Sequence, residues 1–147
     1  MDDWKSYLVE DEGALRGLLR GLRRVAVLGI KTEAQRDQPA FYVPAYLADA
    51  GLEVVPVPVY YPEVREILGR PVYRSLAAIP GEIDLVDVFR RAEHTPDVAR
   101  QAVQIGAKVL WLQLGIVNEE ARRIAEAAGL SVIMDACLMI EHDRLRL

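Results

Sequence analysis

Cys137, Glu141 and His142 lie within six positions of one another and supply the thiol, carboxylate and imidazole from which a nucleophile and its base are built. A free cysteine, however, usually serves as a small buried hydrophobe. No third group nearby would orient the imidazole, so no catalytic residue is assigned. His94 stands just before Thr95-Pro96, a helix-start pair, and reads as a loop histidine ahead of the Thr95 cap rather than as a ligand contact. Two distant histidines and one cysteine give no metal spacing, and no metal is expected. Asp84 and Asp87 frame an apolar run and read as satisfying local backbone donors. Trp111, Tyr60 and Tyr61 read as packing groups.

A second group of polar side chains, Lys31, Thr32 and Arg36, follows the run Val25-Ala-Val-Leu-Gly29. The apolar residues are continuous rather than alternating, as in a strand covered on both faces. Gly29 lets the backbone turn sharply or lie against a ligand. Pro39 suits the first position of a helix, with Asp37 or Gln38 near the cap. A helix N-terminus facing a strand end, with two cations and a hydroxyl beside it, suits a phosphate. The three glycines of a dinucleotide fingerprint and the Gly-Lys-Ser/Thr of a P-loop are both missing, so a plain strand-to-helix turn stays open beside phosphate binding.

The elements that must hold this loop are legible from periodicity. A helix from Pro39 to Ala50 ends at Gly51 before a strand at Glu53–Val57. A helix from Pro96 to Ile105 ends at Gly106 before Lys108–Leu112, and a helix from Glu119 to Ala128 ends at Gly129 before Ser131–Met134. This rhythm predicts an α/β fold: a single Rossmann-like domain over residues 1–147, with a mostly parallel doubly wound sheet and helices on both faces. Residues 1–22 form a helical segment packed on it, with apolar Trp4, Tyr7, Leu8, Leu15, Leu18, Leu19 and Leu22. Arg20, Arg23 and Arg24 follow as caps of the helix dipole. Pro44 shifts the start of its helix or kinks it. Between Pro58 and Gly81 the period fails, and the expectation is an irregular connection with a one-turn helix at Glu63–Leu68 and a short edge strand at Val72–Tyr73. If that connection carries the chain back past the first strand, the strand at Asp84–Phe89 lies on its other side. Ligands of open α/β sheets sit at the carboxyl ends at such a switch point, here between Gly29–Arg36 and Phe89–His94, bordered by Gln113–Ile116.

At 147 residues, 52% hydrophobic and a net charge of −4, the chain is one folded domain rather than a disordered one. Basic residues are interspersed with acids, which argues against nucleic acid as a partner. The acidic N-terminus has no following apolar run of the signal-peptide kind, and no stretch approaches the roughly 20 apolar residues of a membrane span. With one cysteine and no internal disulfide, a soluble cytoplasmic protein is expected.

An NAD site usually carries an acid at the end of the second strand, and Val57-Pro-Val-Tyr-Tyr-Pro62 has none, although Arg65 keeps NADP open. The runs Val25–Gly29, Val54–Val57, Asp84-Leu-Val-Asp-Val-Phe-Arg90, Gly106-Ala-Lys-Val-Leu-Trp-Leu-Gln-Leu-Gly115 and Met134-Asp-Ala-Cys137 closely resemble the small stand-alone CoA-binding domain proteins, which look like the N-terminal CoA-binding domain of the succinyl-CoA synthetase α subunit. The resemblance covers about residues 15–145. It implies coenzyme A or acyl-CoA as ligand, with Gly29, Ile30, Lys31, Thr32 and Arg36 at the phosphates. Pro58, Val59 and Tyr60 would lie near the adenosine, and Phe89, Arg90 and Gln113 along the pantetheine arm. The family loop commonly continues with small residues after the glycine, whereas this chain has Ile30-Lys31-Thr32. Ligase activity is not implied, because the phosphorylated histidine of the synthetase belongs to a second domain. The expectation is a non-catalytic binding or regulatory module, with a homodimer or a further protein partner open. The alternatives are an NAD(P)-binding enzyme or redox sensor, and an interaction domain with a vestigial crevice.

Overall fold

The computed structural model describes residues 12–145. The described residues open with helix α1 (Glu12–Arg20), which leads to strand β1 (Arg24–Leu28). Then come α2 (Pro39–Asp49), β2 (Glu53–Val57), a small hairpin of β3 (Glu66–Ile67) and β4 (Arg70–Pro71), and β5 (Leu85–Val88). The second half runs α3 (Thr95–Gln104), β6 (Val109–Leu112), α4 (Glu119–Ala127), β7 (Ser131–Ile133) and α5 (Leu138–Leu145). Trp4, Tyr7 and Leu8 lie outside the described residues.

Five strands form one parallel sheet in the order β2-β1-β5-β6-β7. The chain thus crosses back over β1 between β2 and β5, and the switch point is where the sequence predicts it. This is a Rossmann-like α/β sheet covered on both faces. On one face Ala26, Val55, Val86 and Leu110 pack with Val98 and Ala102 of α3 and Ala121 and Ala125 of α4. On the other, Val25, Val54, Leu85 and Trp111 pack with Leu15 and Leu19 of α1, Phe41 and Leu47 of α2, and Leu138 of α5. Two-sided burial is the reason the strands read as unbroken apolar runs. Each such side chain contributes about 1.5–3 kcal/mol by leaving water. Trp111 is fully buried, and its Nε1–H donates to the Ala136 carbonyl at 2.8 Å, so the one polar atom of this packing residue is satisfied.

The helix ends follow their sequence signals. After α2, α3 and α4, a glycine at positive φ closes a paired hydrogen-bond motif, as when Gly51 N–H reaches Ala48 O and Leu52 N–H reaches Leu47 O. Asn118 caps α4 by accepting from Ala121 N–H. Pro44 remains inside α2. Lacking an N–H, it leaves the carbonyl of Ala40 free of its usual helical donor. Lys31 N–H fills that position at 3.1 Å, which ties the loop after β1 to the first turn of α2.

Several local expectations are corrected. Residues 63–68 form no helical turn; Glu66–Ile67 and Arg70–Pro71 pair as a hairpin whose two turn residues, Leu68 and Gly69, have φ of 56° and 71°. Paired positive φ values match the twist of a two-residue hairpin turn, and the N–H of Leu68 is held by Glu33 Oε2. Val72–Tyr73 is not a strand, although Tyr73 N–H donates to Pro56 O at the sheet edge. Thr95 is the first residue of α3 rather than its cap, and its hydroxyl donates to Ala92 O. Arg24 is no helix cap: it starts β1, and its guanidinium donates to Glu53 and to the carbonyls of Pro80 and Glu82.

Candidate functional site at the carboxyl ends of the strands

A cleft of about 790 Å³ opens where β1, β5, β6 and β7 end. Gly29 and Lys31 approach it from the β1 loop, and Gln38, Pro39, Ala40 and Tyr42 from the start of α2. Phe89, Arg90, Arg91 and His94 follow β5, while Gln113, Leu114 and Ile116 follow β6. Val59 and Tyr60 come from the loop after β2, Cys137 from the stretch just before α5, and Met139 and Ile140 from the first turn of α5. Among the described residues five large apolar side chains are well exposed, namely Tyr42, Val59, Tyr60, Leu114 and Ile140, and all five border this cleft. Concentration of exposed apolar surface at one concave place marks a binding site.

Gly29 shapes the floor. Its φ is 89°, and a Cβ there would stand 2.2 Å from the carbonyl oxygen of Phe89. The glycine is therefore required by the close approach of the β1 and β5 ends, whatever ligand lies above.

The cleft is electropositive by composition. Lys31, Arg90 and Arg91 line it, and among the described residues no carboxylate does. Lys31 donates to Gln38 Oε1, which holds the ammonium without neutralising it. The start of α2 adds the positive end of a helix dipole.

Of the residues named from sequence, Gly29, Lys31, Val59, Tyr60, Phe89, Arg90 and Gln113 line the cleft. Four others do not. Ile30 is 1% exposed and packs in the core with Phe41, which is why a bulky residue is tolerated after the glycine. Thr32 is buried in a capping box with Gln35 over the 3-10 turn Glu33–Gln35. Arg36 ends that turn on the exposed surface. Pro58 lines a neighbouring crevice of about 690 Å³ that shares Val59 and Tyr60 with the cleft. There Arg74 donates to the carbonyls of Tyr60, Tyr61, Pro62 and Val64 and so shapes the loop that carries Tyr60.

Tyr42, Met139 and Ile140 are cleft residues that sequence reasoning missed, whereas Arg91 lies within the flank Phe89–His94 expected there, without a contact of its own assigned. Arg91 was legible as the second of two arginines at a strand end. The others sit on helical faces whose direction only the packing reveals.

Cys137, Glu141 and His142 do not assemble. Cys137 lines the cleft, but Glu141 pairs with Arg144 at 2.8 Å and His142 Nδ1 lies 2.9 Å from the Tyr46 hydroxyl. Burial pushes the Cys137 thiol up, and the charges of Asp87 and Glu141 add to this against the backbone N–H groups of Ile140 and Met139. Such a thiol is a weak nucleophile. His94 lines the cleft with Nε2 4.0 Å from Glu93. Among the described residues no group of three or more His, Cys, Asp or Glu is placed to hold a metal, and no helix is long and apolar enough to cross a membrane.

Asp87 departs from its expected role. Asp84 does accept from the N–H groups of Arg23 and Arg24, at 2.9 Å each, but Asp87 is fully buried and accepts from Gln113 Nε2 across the β5–β6 pair. Its Oδ2 has no partner. Burial raises its pKa to about 7 against the opposing hydrogen bonds of Gln113 and Val88.

Comparison with known proteins gives this geometry its family. The chain is 38% identical over 128 residues to the uncharacterized protein YneT of Bacillus subtilis (strain 168), covering 87% of this chain and 91% of that one. Among solved structures, the Thermus thermophilus protein cell-free ID.343 is 34% identical with a TM-score of 0.82, over 90% of this chain and 97% of the other. A hypothetical protein from Pyrococcus horikoshii OT3 is 36% identical with a TM-score of 0.81, over 90% of both chains. Residues 23–143 match the family model described as a CoA binding domain, and the chain belongs to that family.

Proposed function

We propose that this protein binds coenzyme A or acyl-CoA in the cleft as a non-catalytic carrier or sensor of acyl-CoA metabolism. The carrying observation is a switch-point cleft with three cations, no carboxylate and an apolar rim, in a chain of the CoA-binding family. In this reading Lys31, Arg90, Arg91 and the start of α2 meet the phosphates, as cations and helix N-termini do. Val59 and Tyr60 lie near the adenosine, and Phe89, Gln113 and Ile116 follow the pantetheine arm. The absence of an acid among Pro58, Val59 and Tyr60, just past β2, favours this ligand over NAD. The cytoplasm suits an acidic chain with one unpaired cysteine.

Thermal unfolding with CoA, dephospho-CoA, NAD and NADP tests the proposal. A ligand present at 100 times its Kd adds about 2.7 kcal/mol of stability, a readily measured rise in midpoint. A rise with CoA and not with NAD supports the reading. A rise with NAD or NADP alone, or with none of the four, overturns it.

A further inference from the structure

A buried carboxylate with one side-chain hydrogen bond and one unpartnered oxygen costs stability, and its place in a fold asks for a reason. Asp87 has no exposed surface, and both of its polar neighbours, Gln113 and Cys137, line the cleft. We propose that Asp87 is a positioning residue that locks the Gln113 carboxamide with Nε2 turned inward, so that the cleft floor presents only the acceptor Oε1 and selects a ligand bringing an amide N–H there. This rests on the CoA reading and deepens it, because the pantetheine arm carries secondary amides.

The lock works through charge. An ionised carboxylate only accepts, and therefore fixes the carboxamide in one of its two orientations. A protonated carboxyl has an O–H donor as well as an acceptor, so it no longer excludes the reversed amide, in which Nε2 turns toward the ligand and two donors face each other. The surroundings contain little else that titrates. In register on either side stand Val27 of β1 and Trp111 of β6, and Cys137, with Glu141 beyond it, faces Asp87 from the stretch leading into α5. Among the described residues no cation bears on Asp87.

The test is CoA affinity by calorimetry, about one pH unit above and one below 7, for the wild type, Asp87→Asn and Gln113→Met. One unit below its pKa the carboxylate is about nine-tenths protonated, so wild-type affinity falls about tenfold beyond any change in Asp87→Asn. The asparagine has no charge to titrate, while contributions common to both proteins, such as the CoA phosphates, cancel in the ratio. Gln113→Met binds about tenfold more weakly at the higher pH and loses the excess pH dependence. Equal pH slopes in wild type and Asp87→Asn overturn the proposal.

A ligand-free measurement separates this from failure of the CoA reading. The Gln113 side-chain amide signal in nitrogen-15 spectra, assigned by its loss in Gln113→Met, shifts with a midpoint near 7 in the wild type and stays put in Asp87→Asn. If it shifts while CoA fails to bind, the lock stands and the CoA reading falls. If it does not shift, the lock is refuted whatever binds.

Discussion

The two ends of the sheet handle charge in opposite ways. At the amino end charged groups answer one another and the backbone: Arg24 meets Glu53 at 2.9 Å, its guanidinium also satisfies the carbonyls of Pro80 and Glu82, and Asp84 accepts two backbone N–H groups. At the carboxyl end Arg90 and Arg91 stand in the cleft wall with no ion pair or hydrogen bond among the described residues, and Asp87 keeps an orphan oxygen beneath them. Both ends lie on the same strands, one residue set at the entry and the other at the exit. Satisfied groups report folding; unsatisfied ones report what the fold leaves for a partner.

The sharpest way to break this contrast is Gly29→Ala, since it strikes the backbone that shapes the cleft. A Cβ 2.2 Å from Phe89 O at positive φ must push the β1 and β5 ends apart, and chemical denaturation should show a loss of about 3 kcal/mol or more together with loss of the CoA-induced stabilisation. A loss below about 1 kcal/mol would mean that the strand ends do not approach so closely. Arg24→Met probes the amino end alone. It should cost about 1–2 kcal/mol of stability while leaving CoA affinity unchanged in the folded molecule. Arg90→Ala probes the other end alone: stability should move by no more than about 0.5 kcal/mol, while CoA affinity falls about tenfold and depends less steeply on salt. An exchange of these two phenotypes would refute the division between the ends.

Much of this was readable in the chain. Glycines after α2, α3 and α4 and unbroken apolar runs sufficed for the parallel sheet, and the broken period from Pro58 to Gly81 marked the crossover that creates the switch point. What stayed hidden depended on tertiary placement. Leu68 shows no sequence sign of positive φ, and the hairpin it turns exists because Glu33, 35 positions earlier, holds its N–H. Thr32 resembled a phosphate ligand because its hydroxyl is visible in sequence whereas its engagement with Gln35 is not. Ile30 looked too large for a ligand loop, but the side chain points into the core and leaves the approach clear. Asp87 resembled Asp84 by type and neighbourhood, yet three places apart one carboxylate finds two backbone donors and a lysine at the strand entry and the other, buried within β5, keeps one oxygen without a partner.

Pro44 looks at first like a flaw in α2. Because its ring removes one donor from the helix, the Ala40 carbonyl is held by Lys31, and the lysine loop is set in place before any ligand arrives. Ordering a free loop costs entropy that binding would otherwise have to overcome. Here that cost falls on folding, once per molecule, so encounter with a phosphate needs less rearrangement of the segment that greets it. Restoring the missing donor with Pro44→Ala would make a better helix and a slower, weaker receptor.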